Sequence, residues 1–146
     1  MSTKISLYFI ERIMPDYADL DISAIRLCCD VAFRTASGIT APYRAIIDTG
    51  APLSLLPLYV WKQCKVKKIR DSAIRGVVPR PECILPVTLA DITCMLVDGR
   101  NKTSELPIKA QLAHTDEVPL VIGFRDLLDN VELYIDYKRE AAYLTL

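Results

Sequence analysis

Hydrophobic and polar positions alternate along this chain mostly with the short period of strands. Cys83, Leu85, Val87 and Leu89 recur every second residue, the spacing of a half-buried strand. Ile25 to Phe33 is apolar with polar interruptions, and Tyr43 to Asp48 reads as a buried strand entered through Pro42. Further strands are expected over Ile92 to Val97 and Leu106 to Leu112, with Asp98-Gly99 a hairpin turn and Ser37-Gly38 a second turn. Pro119-Leu120-Val121-Ile122-Gly123 is an apolar run ending in glycine, and Val131 to Tyr137 and Ala141 to Leu146 form a terminal hairpin across Lys138-Arg139-Glu140. Helical spacing is confined to Pro57 to Cys64, where Leu58, Trp61 and Cys64 share a face, and to a short segment from Arg125 to Asn130. The pattern predicts a mainly β domain with one or two short helices, a closed or partly closed barrel.

At 146 residues, one domain over 1–146 is expected, with 1–24 an N-terminal extension or edge segment. Hydrophobic residues make up 51% of the chain, enough for a core that needs neither disulfides nor metal. The 18 basic and 18 acidic residues balance, which argues against a nucleic-acid partner. No apolar run reaches the ~20 residues that cross a bilayer, so no membrane partner is expected. The start lacks a signal peptide pattern, and a cytoplasmic protein follows. The five cysteines are odd in number and form no C-x-x-C pair, and His114 is the single histidine, so neither a metal site nor a cofactor is expected. The cysteines read as small buried apolar residues in a reducing compartment. Lys65, Lys67, Lys68 and Arg70 read as a solvated loop.

The candidate chemistry lies at Asp48-Thr49-Gly50-Ala51, between Ala45-Ile46-Ile47 and Pro52-Leu53-Ser54-Leu55-Leu56-Pro57. A carboxylate is thereby set on a tight turn between two buried strands. Peptide hydrolysis by carboxylates needs two of them sharing one proton, since two negative charges about 3 Å apart do not both persist. The ionised member takes a proton from water, and the protonated member donates to the scissile carbonyl oxygen. Thr49 offers a hydroxyl beside the carboxylate, Gly50 allows a close approach of backbone, and Ala51 leaves room for substrate. No second Asp-Thr-Gly or Asp-Ser-Gly occurs, so the second carboxylate has to come from another copy of the chain, most simply across a twofold axis.

Ile46-Ile47-Asp48-Thr49-Gly50-Ala51 together with Leu120-Val121-Ile122-Gly123-Phe124-Arg125-Asp126-Leu127-Leu128 resembles the retropepsin-like aspartic proteases, the family of retroviral proteases and their cellular and bacterial relatives. The resemblance spans roughly Ile25 to Leu146. It implies a retropepsin-like acid-protease β-barrel with one lobe per chain, in which the second apolar-glycine run threads beside the catalytic turn. It implies a homodimeric endopeptidase acting on peptide or protein substrates, with Asp48 catalytic and with Thr49 and Gly50 completing the site. It also implies a flap over Ile74 to Pro81, with Gly76 at its bend and Val77 and Val78 over the substrate. Ala51, Leu55, Val121 and Ile122 are the remaining candidate substrate contacts, and their apolar character favours hydrophobic residues beside the cleaved bond. In viral relatives the terminal strands help form the dimer interface, and Ala141 to Leu146 is apolar enough for that role or for packing within one subunit. Pro52 and Leu53 stand where viral enzymes often carry acidic residues, and Phe124 precedes Arg125, so substrate recognition differs.

The alternative is a non-catalytic dimerisation or peptide-binding module that keeps the same fold.

Overall fold

The structure, a computed structural model, describes residues 2–75 and 84–146. Strands dominate it, as the alternation predicts. They are β1 (Lys4–Ser6), β2 (Tyr8–Ile13), β3 (Ser23–Phe33), β4 (Tyr43–Ile47), β5 (Ser54–Leu56), β6 (Val66–Arg75), β7 (Ile84–Val97), β8 (Leu106–Ala113), β9 (Val121–Ile122), β10 (Glu132–Asp136) and β11 (Ala141–Thr145). Among the described residues eight of them form one sheet in the order β2-β3-β4-β9-β5-β8-β7-β6, and an additional β3–β7 pairing folds that sheet back on itself. The core lies inside this fold and is filled by Val31, Phe33, Leu56, Leu96, Ile108 and Ile122, all with under 2% of their surface exposed.

Several elements differ from the sequence reading. Cys83 to Leu89 and Ile92 to Val97 were expected as separate strands, whereas Ile84 to Val97 is one strand of 14 residues. Ala90-Asp91 carries no turn-forming glycine or proline, so nothing in the backbone interrupts the ladder. The basic stretch from Lys65 to Arg70 is largely strand rather than loop: β6 pairs with β7 from Val66↔Ile92 to Arg75↔Ile84, with an irregularity between Lys68 and Arg70. Its side chains are almost all exposed, so it has no apolar alternation to betray it. The helix expected over Pro57 to Cys64 is a single turn, α1 (Leu58–Trp61), and its fully buried residue is Val60. The segment from Arg125 to Asn130 contains only a 3-10 turn at Leu128–Asn130. A 3-10 stretch at Pro15–Leu20 joins β2 to β3.

The N-terminal segment is built into the fold. Ile5 and Leu7 are core residues, and β2 forms one edge of the large sheet. The terminal hairpin is present, β10 against β11 with Leu133↔Leu144 in register. β11 also pairs with β1, through Lys4↔Thr145 to Ser6↔Tyr143. Both edges of β11 are therefore filled within one chain. Ala141 to Leu146 serves packing inside the subunit, where Ala142 and Leu144 are buried, and its strand has no open edge to offer a partner.

Candidate active site

Asp48 is placed by the end of β4. That strand runs parallel to β9 with Ile46↔Val121 and Ile47↔Ile122 in register, so the second apolar-glycine run does thread beside the Asp48 turn. Parallel neighbours so short need outside support, and β9 receives it from β5 through Leu55↔Val121. The Asp48 N–H donates to the Ile122 carbonyl at 3.0 Å, and the Ala51 N–H donates to the Asp48 carbonyl at 3.1 Å. The Gly50 N–H donates to Asp48 Oδ1 at 2.9 Å, which fixes the carboxylate over its own turn.

Beyond the turn the two segments stay locked together. The Phe124 and Arg125 N–H groups donate to the Ala51 and Pro52 carbonyls, each at 2.9 Å. The Gly123 N–H donates to Ser54 Oγ at 3.0 Å, inside the protein. Gly123 is glycine for lack of space: a Cβ there would lie 2.4 Å from the Leu53 carbonyl oxygen and 2.8 Å from that of Ala51. Ser54, fully buried, is the residue that sequence reasoning missed. Its signal was a lone hydroxyl between Leu53 and Leu55 in an otherwise apolar run, since a polar group there needs a buried partner.

Asp48, Thr49 and Gly50 are exposed in the single chain. Asp48 and Thr49 line a cleft of about 220 Å³ together with Ile25, Leu27, Ile47, Ile135 and Tyr137. Ile25 is 55% exposed and Tyr137 62% exposed. Arg26 and Ile46 complete the lining, so the cleft beside the exposed carboxylate is mostly polar, with Ile25 and Tyr137 as its exposed apolar side chains.

The remaining candidates separate into groups. Ala51, Leu55 and Val121 are half-buried near the turn, with Leu55 and Val121 neighbours across β5 and β9. Ile122 is 1% exposed and belongs to the core, so its side chain packs inward and its carbonyl does the positioning. Gly76, Val77 and Val78, like most of the flap expected over Ile74 to Pro81, lie outside the described residues.

No protein-family model matches the chain, and no curated protein matches it either. Among solved structures the chain is similar to EIAV protease complexed with an inhibitor, at 18% identity, 71% of this chain, 86% of that chain and a TM-score of 0.46. It is also similar to a retropepsin-like aspartic protease from Rickettsia conorii, at 16% identity, 99% of this chain, 95% of that chain and a TM-score of 0.49.

Proposed function

We propose that this chain is a homodimeric aspartic endopeptidase whose catalytic pair is Asp48 from each of two subunits. The observation that carries the reading is the braced, solvated Asp48-Thr49-Gly50 turn, held by the Ile122 carbonyl on one side and by its own Gly50 amide on the other. Such bracing fixes the carboxylate direction before substrate arrives, as hydrolysis by positioned groups requires. One carboxylate leaves the site incomplete, and the exposed Ile25 and Tyr137 beside it give the second copy an apolar surface to bury.

In the dimer the two carboxylates share one proton and titrate as a unit. The ionised oxygen removes a proton from a water that attacks the peptide carbonyl carbon. The other carboxyl donates its proton to the carbonyl oxygen, giving a tetrahedral diol. Collapse of the diol breaks the C–N bond as the first carboxyl passes its proton to the leaving nitrogen and the second takes one from a diol hydroxyl, which restores the shared proton. Thr49 joins the hydroxyl contacts across the axis, and Gly50 lets the two turns approach. Ala51, Leu55 and Val121 line the path of the substrate. No cofactor takes part. The cysteines Cys28, Cys29, Cys64 and Cys94 are free thiols, which suits action in the reducing cytoplasm.

The test is a comparison of wild type with Asp48→Asn from about pH 4 to 7, on a peptide library and by sedimentation. Loss of a general acid–base group lowers turnover by roughly a hundred- to ten-thousand-fold. Wild-type cleavage that disappears in the variant, with both proteins dimeric, upholds the reading. Equal behaviour of the two proteins removes it and favours a peptide-binding module.

A further inference from the structure

Strand alternation and register bring three arginines to one face of the β2–β3–β4 sheet. Ile10 and Arg12 of β2 face the same way as Arg26 and Cys28 of β3, because Ile10↔Arg26 and Tyr8↔Cys28 are paired positions. Arg44 and Ile46 of β4 join that face through Asp30↔Arg44 and Cys28↔Ile46. Together with Leu120 these residues line a groove of about 450 Å³. Its floor is aliphatic, from Ile10, Ile46 and Leu120, and its charge comes from Arg12, Arg26 and Arg44, all exposed.

Among the described residues Arg12, Arg26 and Arg44 form no ion pair, and Arg44 lies over the Tyr8 ring at 5.9 Å. Every ion pair among the described residues uses other cations: Arg34, Lys68, Lys109, Arg125 and Arg139. Asp30, the carboxylate on this face, accepts a hydrogen bond from the Tyr8 hydroxyl. Glu11 sits on the opposite face, held by Ser23. In a chain of zero formal net charge, this is a local segregation of positive charge rather than a share of a general excess.

The groove also reaches the Asp48 turn. Arg26 and Ile46 line both it and the cleft that contains Asp48. Ile46 and Arg44 precede Asp48 by two and four residues, hence about 7 and 13 Å along an extended strand.

We propose that this groove binds an acidic peptide substrate: an aliphatic side chain rests on its floor, and an Asp or Glu carboxylate within about four residues of the cleaved bond pairs with Arg12, Arg26 and Arg44. This rests on the hydrolytic reading of Asp48 for its consequence, though not for the binding itself. Guanidinium groups suit the role because their planar fork meets a carboxylate with two parallel hydrogen bonds. The expected discrimination is modest, about five- to tenfold in affinity at low salt, because exposed ion pairs are weakened by water and screened by ions.

The test separates binding from cleavage. The Asp48→Asn chain is titrated into fluorescent peptides identical except for Glu, Gln or Lys beside a Leu-Leu core, with anisotropy read at low and at high salt. The Glu peptide is expected to bind five- to tenfold more tightly than the Gln peptide at low salt, with the gap closing at high salt. Arg12→Gln/Arg26→Gln/Arg44→Gln removes the preference, single Arg26→Gln reduces it, and Arg100→Gln on a distant turn retains it. Equal binding of Glu and Gln peptides overturns the proposal, as does a preference that survives the triple substitution in a folded protein. Displacement of the Glu peptide by a short oligonucleotide at lower concentration overturns it in favour of a nucleic-acid groove. The same peptides given to wild type distinguish the two readings. Cleavage without a Glu preference keeps the hydrolase and removes the acidic groove; Glu-selective binding with no cleavage keeps the groove and removes the hydrolase.

Discussion

Replacing Gly123 with alanine is the sharpest test of how the Asp48 turn is held. The added methyl would lie 2.4 Å from the Leu53 carbonyl oxygen, 2.5 Å from its carbon and 2.8 Å from the Ala51 oxygen. Ordinary non-bonded separations are about 3.5 Å or more, so the two segments have to part by about 1 Å. All the near atoms belong to backbone, and no side-chain rotation relieves the contact. Overpacking of a tight interior costs about 1–3 kcal/mol. A shift of that size also strains the Phe124–Ala51 and Gly123–Ser54 hydrogen bonds, at about 1 kcal/mol each. The sum is about 3–5 kcal/mol, a large fraction of a domain's stability. Urea unfolding followed by Trp61 fluorescence measures it. With a slope of about 2 kcal/mol/M, the midpoint should fall by about 1.5–2.5 M. Gly99→Ala is the control, because a Cβ there meets nothing within 4 Å. Should Gly123→Ala unfold within about 0.5 kcal/mol of wild type, as Gly99→Ala is expected to, the packing of β9 against the turn is not what holds Asp48 in place.

Ser54→Ala strands the buried Gly123 N–H and should cost about 1–3 kcal/mol in the same urea assay; a loss below about 0.5 kcal/mol would show that the hydroxyl is dispensable. Asp98→Ala removes the acceptor of three amides, those of Ser6 at 2.8 Å, Arg100 at 2.7 Å and Asn101 at 2.6 Å, and should cost about 1–2 kcal/mol while loosening β1. The Ser6 amide, followed by those of Asn101 and Arg100, outweighs partial desolvation and holds the Asp98 carboxyl below the usual carboxylate range. A lowered pKa means that the folded state favours the ionised form. That increment is therefore present above the unfolded value of about 3.9 and lost as pH falls through the folded one. The gap between wild type and Asp98→Ala should accordingly hold above about pH 4 and narrow progressively as pH falls below it; a gap that stays constant through that range contradicts the assignment.

Much of the architecture is legible in residue order because strand formation is largely local. Tyr43 to Ile47, Leu106 to Ala113 and the hairpin of β10 and β11 announce themselves through apolar spacing and the polar turn between them. β6 does not, because its residues face solvent on nearly every position and so carry no pattern. The Asp48-Thr49-Gly50 motif marks where the candidate chemistry lies, because it sets a carboxylate on a tight turn between two apolar runs. What holds that motif is not local. The Ile122 carbonyl, the Ser54 hydroxyl and the space that only glycine fits at 123 are brought together by pairings between residues about 70 positions apart. The arginine groove is likewise invisible in the chain, where Arg12, Arg26 and Arg44 are scattered among a balanced set of charges. Antiparallel register converts their separate positions into one face. Residue order determined which segments become strands and which carboxylate stands on a turn; the tertiary structure decided what braces that carboxylate and which charges surround it, because contact between distant residues depends on register and packing that no local pattern encodes.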